Sequence, residues 1–215
     1  MMIVEVEDLS AKYEYGIENV VSLLSVSETE QPEAPGLLEF YPNLATLELD
    51  GHDPGISVVR TRRVFSQEPI TKIEYHIFAD EGILPLDGDI VILVGCPTGP
   101  DDPSVSDLHA VLVPAGVFVS LLAKARHSPP MSLDDKAVHV MIILPEDTPE
   151  MDYEVTKLAE GVCIRNPIDK SKPETSSRSG IDVTPRRYQP GFRPRDDDEL
   201  GGGEWTGAPA RPPGG

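Results

Sequence analysis

The sequence predicts one all-β domain, a sandwich or jelly-roll barrel, followed by a tail that does not pack. From Leu44 onward short apolar runs are punctuated by turn residues at regular spacing, the pattern of an antiparallel β-protein. The 215 residues allow one sizeable core or two small ones, and no repeat of solenoid period is visible. From Lys170 onward seven Pro and eight Gly stand among few aliphatic residues, a composition that buries too little apolar surface to fold. The domain is therefore placed at residues 1–165 and a disordered Pro/Gly-rich tail at 166–215.

The opening residues Ile3-Val4-Glu5-Val6 read as a short strand, and 17–24 as a short helix or second strand. Strands are then expected at 45–49, 56–64, 70–78, 83–86, 89–94, 109–113, 117–122 and 137–144. The breakers between them are Asp50-Gly51-His52-Asp53-Pro54-Gly55, Asp87-Gly88, Pro97-Thr98-Gly99-Pro100 and Pro114-Ala115-Gly116, residue types that supply turn geometry. The stretch 153–164 is expected as a strand or a final helix.

Charge narrows the partners. The chain carries a net −19, and the tail from Lys170 holds eight Lys or Arg against seven Asp or Glu, so the acidity sits in the domain. Such a surface repels phosphate backbones and anionic lipids, so neither nucleic acid nor membrane is an expected partner. No apolar run reaches bilayer length and the N-terminus lacks signal-peptide character, so a cytoplasmic location is expected. Cys96 and Cys163 form no CxxC pair. In the tail, Trp205 is the residue suited to anchor a partner.

Side chains alternate across a strand, so Lys72, Glu74 and His76 share one face of the segment 70–78, while Ile73, Tyr75 and Ile77 share the other. That polar face is either solvated or carries ligands. Spacing favours ligands: Glu74-x-His76 is followed by Glu81 and by Gly88 in the turn Asp87-Gly88. This resembles the first motif of the cupin barrels, with two ligands on one strand, a Glu on the next and a Gly closing the hairpin. The His and Asn positions of the second motif fall here at Val119 and Ala123, after a Pro114-Ala115-Gly116 turn.

A more specific resemblance covers residues 36–145. Phe40-Tyr41-Pro42-Asn43, Ile56-Ser57-Val58-Val59-Arg60, Glu74-Tyr75-His76 through Pro85, and Ala125-Arg126-His127-Ser128-Pro129 are similar in order and spacing to the ureidoglycolate lyase family. The resemblance implies a cupin-like jelly-roll barrel, a homodimer and a divalent metal, with no organic cofactor. It also implies cleavage of ureidoglycolate, a small anionic substrate, to glyoxylate and urea in purine breakdown. Position by position it nominates Glu74, His76, Glu81 and His127 as metal ligands. A mixed nitrogen and carboxylate set suits Ni, Mn, Zn or Fe.

For that reaction His76 or Glu81 is the expected base and Arg60 the carboxylate anchor, with Arg62 beside it on the same strand face. Arg63 reads as a solvated charge. Of the other histidines, His52 reads as solvated, His109 opens a strand, and His139 reads as a core or interface residue. Leu122 and Val119 stand where the lyase and cupin patterns place polar residues, and the alternative reading is a barrel that has lost catalysis and binds a small ligand or a partner.

Overall fold

In the computed structural model, residues 1–9, 16–33, 37–65, 68–96 and 108–165 are described; the expected tail, with Trp205, lies outside them. The elements run β1 (Met2–Asp8), β2 (Ile17–Ser22), α1 (Val26–Thr29), β3 (Pro54–Thr61), β4 (Ile70–Tyr75), β5 (Glu81–Pro85) and β6 (Ile90–Gly95). They continue with β7 (Leu108–Val113), β8 (Val117–Leu121), β9 (Arg126–His127), β10 (Met131–Ser132), β11 (Val138–Pro145), α2 (Thr148–Met151) and β12 (Glu154–Arg165). No helix among the described residues is long and apolar enough to cross a membrane.

The architecture is the expected all-β barrel. A five-stranded sheet, β2-β8-β5-β11-β3, faces a seven-stranded one ordered β10-β6-β7-β1-β12-β4-β9. The second sheet closes on itself, because the two-residue β9 pairs with both β4 and β6. Two apolar clusters follow from strand alternation. On β6, Ile90, Ile92 and Val94 belong to one cluster and Val91 and Leu93 to the other, so this strand is buried on both faces and reads as a continuous apolar run. Leu93 is wholly buried. Leu93→Ala is expected to cost about 3 kcal/mol or more, read as a lower denaturant midpoint at unchanged slope.

Several elements differ from the sequence reading. The two segments left open between helix and strand are strands, β2 at Ile17–Ser22 and β12 at Glu154–Arg165. Residues 45–49 form no strand; Asp80 N–H donates to Glu48 C=O, Glu48 N–H to the Asp80 carboxylate, and Asn19 Nδ2 to Thr46 C=O. Apolar alternation alone does not make a strand when no partner offers a ladder. The pattern is also not wholly antiparallel, since β1 runs parallel to both β7 and β12. Strand direction depends on distant partners that local alternation does not encode.

Gly88 is needed for a reason other than the closing of a hairpin. β5 and β6 belong to different sheets, and the chain crosses between them through Asp87-Gly88. A Cβ at Gly88 would lie 2.9 Å from Val138 Cγ2, so the crossing packs against β11 too closely for a side chain.

Candidate metal centre

Three short segments bring the candidate ligands together. Glu74 lies in β4, and His76, two residues on in extended chain, faces the same way. Glu81 opens β5. His127 is in β9, directly opposite Glu74 in the ladder.

Buried polar groups fix the connecting loop. The Asp152 carboxylate accepts the backbone N–H groups of Ile77 (2.5 Å), Phe78 (3.0 Å) and Ala79 (3.3 Å). Asp80 accepts from Glu48 and Ala123, each at 2.9 Å. The His76 carbonyl accepts from Lys124 N–H at 2.5 Å, which ties this loop to the turn preceding β9. Lys124 holds φ of 70°, an uncommon conformation for a side-chain-bearing residue.

The four candidate side chains converge. His127 Nε2 is 2.8 Å from Glu81 Oε2 and 3.7 Å from Glu74 Oε1, and His76 Nε2 is 3.6 Å from the same Glu81 oxygen. The donor atoms of His76, Glu81 and His127 all lie within 4.8 Å of one another. These three residues are buried and Glu74 is half-buried.

Outer contacts orient each ligand. His76 Nδ1 is 2.5 Å from the Asp152 carbonyl and His127 Nδ1 is 3.0 Å from the Ala125 carbonyl. A carbonyl only accepts, so each Nδ1 carries the proton and, in the neutral ring, each Nε2 presents its lone pair toward Glu81. Tyr153 OH donates to Glu74 Oε2 at 2.7 Å, leaving Oε1 as the oxygen nearer His127.

Electrostatics show what this arrangement costs by itself. Burial drives the His127 imidazole toward neutrality, but the Glu81 and Glu74 carboxylates outweigh it and raise its pKa to about 9. Burial likewise disfavours the Glu81 carboxylate, yet His127 and His76 hold its pKa down to about 2. Burial pushes His76 down too, and contact with Glu81 reverses that into a raised pKa. Tyr153, through its bond to Glu74, is raised to about 12 and keeps its proton.

Charge therefore balances between Glu81 and His127, but geometry does not. Glu81 Oε2 and His127 Nε2 are buried without an aligned hydrogen bond to any group among the described residues. Orphaned buried polar atoms are costly. Two imidazole Nε2 atoms converging on a buried carboxylate oxygen, each ring fixed from behind by a carbonyl, form an arrangement that suits a divalent cation once both rings are neutral. The residues present fit such an ion: His76, Glu81 and His127 would hold it, with Glu74 as the fourth ligand.

Beside the cluster lies a cavity of about 550 Å³, lined by Glu74, His76 and Glu81 and walled by Val59, Ile142 and Leu144 from β3 and β11. His127 stands behind Glu81 and is not on the cavity wall.

The arginines nominated for substrate do not reach it. On β3 the residues Ser57 and Val59 face inward, opposite Ile142 and Val140, whereas Arg60 lies opposite His139 on the outer face and is exposed. Arg62 is exposed beyond the end of the strand and, like Arg63, absent from the cavity lining. Odd and even positions of one strand point to opposite faces, and the expectation took the wrong parity for Arg60. His139 is half-buried on the same outer face, with Nδ1 2.6 Å from Asp87 Oδ2. His52 is exposed in its turn, and His109 sits 3.3 Å from Glu7.

Asp152, Asp80 and Tyr153 were not among the expected site residues. Nothing in their local sequence marks them, because the groups they bind come from elements remote in the chain.

No family model matches this sequence, and none of the curated proteins matches it. Solved structures do align. A mutant form of oxalate decarboxylase from Bacillus subtilis aligns at 15% identity and a TM-score of 0.32, over 49% of this chain and 24% of that one. A 3,4-ketoisomerase from Thermoanaerobacterium thermosaccharolyticum aligns at 14% and 0.33, over 46% of this chain and 64% of that one. A 3′-monoepimerase from Streptomyces bikiniensis aligns at 19% and 0.35, over 51% and 54%. This chain thus spans less than two thirds of the length of each, and likeness at that level carries no reaction, substrate or metal to it.

Proposed function

We propose that this protein is a metal-dependent enzyme that converts a small molecule held in the cavity beside His76 and Glu81. The observation that carries the reading is the pair of imidazoles, each with Nδ1–H directed at a backbone carbonyl and Nε2 facing the one buried Glu81 oxygen. A divalent ion there supplies a Lewis acid for a substrate oxygen. The chain contributes the rest. Glu74 and Glu81 compensate positive charge, Tyr153 presents a protonated phenol beside Glu74, and Val59, Ile142 and Leu144 give the cavity an apolar wall.

The finer reading, a lyase acting on ureidoglycolate, draws support from the convergence of Glu74, His76, Glu81 and His127. Its weak point is the substrate carboxylate, because Arg60 and Arg62 stand outside the cavity. One experiment tests both levels. Protein stripped with chelator is titrated calorimetrically with Mn(II), Ni(II), Zn(II) and Fe(II), then assayed for urea release from ureidoglycolate. One equivalent of metal per chain is expected, with binding lost in His76→Ala. Failure of every ion to bind overturns the metal-dependent reading. Urea release that survives in His76→Ala overturns the lyase.

A further inference from the structure

The cavity has a charge pattern that the metal cluster does not explain. Glu146 and Asp147 line it in addition to Glu74 and Glu81, and no Lys or Arg lines it among the described residues. Two neutral imidazoles and two carboxylates leave a bound divalent ion near electrical balance. Glu146 and Asp147, both exposed, then remain as uncompensated negative charge.

Both belong to the turn between β11 and α2, which is pinned rather than loose. Glu146 N–H donates to Asp53 C=O at 3.0 Å, Glu150 and Met151 N–H donate to Asp147 C=O, and Thr148 OH donates to Pro145 C=O at 2.6 Å. In the same cavity the buried Glu81 Oε2, 2.8 Å from His127 Nε2, has no aligned hydrogen bond among the described residues. Val59, Ile142 and Leu144 line the same cavity. The lining thus combines the metal-seeking cluster, apolar side chains and two exposed carboxylates.

We propose that the ligand of this cavity has an apolar body and no negative charge, coordinates through one polar end, and places an amine or other cationic group beside Glu146 and Asp147. The proposal rests on the metal-dependent reading above and deepens it by naming the substrate class. An anion would have to bind beside two carboxylates with no opposing cation, whereas an ammonium gains from both and loses little hydration beside these exposed groups.

The test uses zinc-loaded full-length protein and three probes that share one chelating end: benzohydroxamic acid and its para-aminomethyl and para-carboxyl derivatives, titrated by calorimetry. The aminomethyl probe is expected to bind about ten-fold or more tighter than the carboxyl probe at low salt, and the gap should narrow as salt is added. In the double variant Glu146→Gln/Asp147→Asn the gap should shrink toward unity. Asn tolerates the φ of 60° at Asp147, so that variant keeps the turn. Equal binding of the two charged probes overturns the proposal, as does a gap that the double variant leaves unchanged. Protein that takes up no zinc overturns the functional reading, and this inference falls with it. Zinc uptake without charge discrimination overturns this inference alone.

Discussion

Glu81→Gln is expected to abolish tight metal binding and to flatten the pH dependence of stability in the metal-free protein. Loss of a direct ligand should exceed the roughly 10–100-fold that loss of an outer partner costs in affinity. Without metal, the carboxylate and His127 stabilise one another. The Glu81 pKa is lowered from its ordinary 4.5 to about 2, so its contribution is present above pH 4.5 and is lost as pH falls toward 2. The His127 pKa is raised from 6.5 to about 9, so its contribution is present below pH 6.5 and is lost as pH rises toward 9.

These are two views of one contact and are not added. The full effect, on the order of 3 kcal/mol, holds between pH 4.5 and 6.5. Denaturant unfolding of chelator-treated protein from about pH 2 to about pH 9 should show a bell-shaped difference between wild type and variant. A difference that stays constant at both extremes would count against the Glu81–His127 contact.

Asp152→Ala is expected to have the second largest effect, through groups that never touch a ligand. The substitution removes the acceptor for three backbone N–H groups, of Ile77, Phe78 and Ala79, and their loss should cost about 2–4 kcal/mol. The backbone carbonyl that holds His76 Nδ1–H remains, but the loop joining His76 to Glu81 loses its clamp. Metal affinity should fall by roughly 10–100-fold. Asp152→Asn, which retains one carbonyl oxygen, should lie between wild type and Ala in both measurements. Calorimetric metal titration beside denaturant unfolding separates the two roles: if stability falls while affinity does not, Asp152 is a structural residue and does not position His76.

The legible part of the site was its local part. Glu74 and His76 are two residues apart on one strand and Glu81 follows five later, so strand alternation and one short loop confine all three. His127 was nominated by resemblance, and its position depends on β9, a two-residue strand that bridges β4 and β6. Arg60 failed for the converse reason. A run of alternating residues specifies that one parity faces inward and leaves open which, and here inward-facing Ser57 and Val59 put Arg60 outside.

What the amino-acid sequence determined by itself was the kind of fold and the ligand-bearing segment. Short apolar runs cut by Gly, Pro and Asp commit the chain to strands and turns, and the Glu74-Tyr75-His76…Glu81 spacing places carboxylate and imidazole together. What only the tertiary structure decided was the parallel insertion of β1 between β7 and β12, the crossing at Gly88, the clamp at Asp152 and the two exposed carboxylates that line the cavity. Each of these joins residues far apart in the chain, and such contacts depend on how strands pair and sheets face, which local periodicity does not specify.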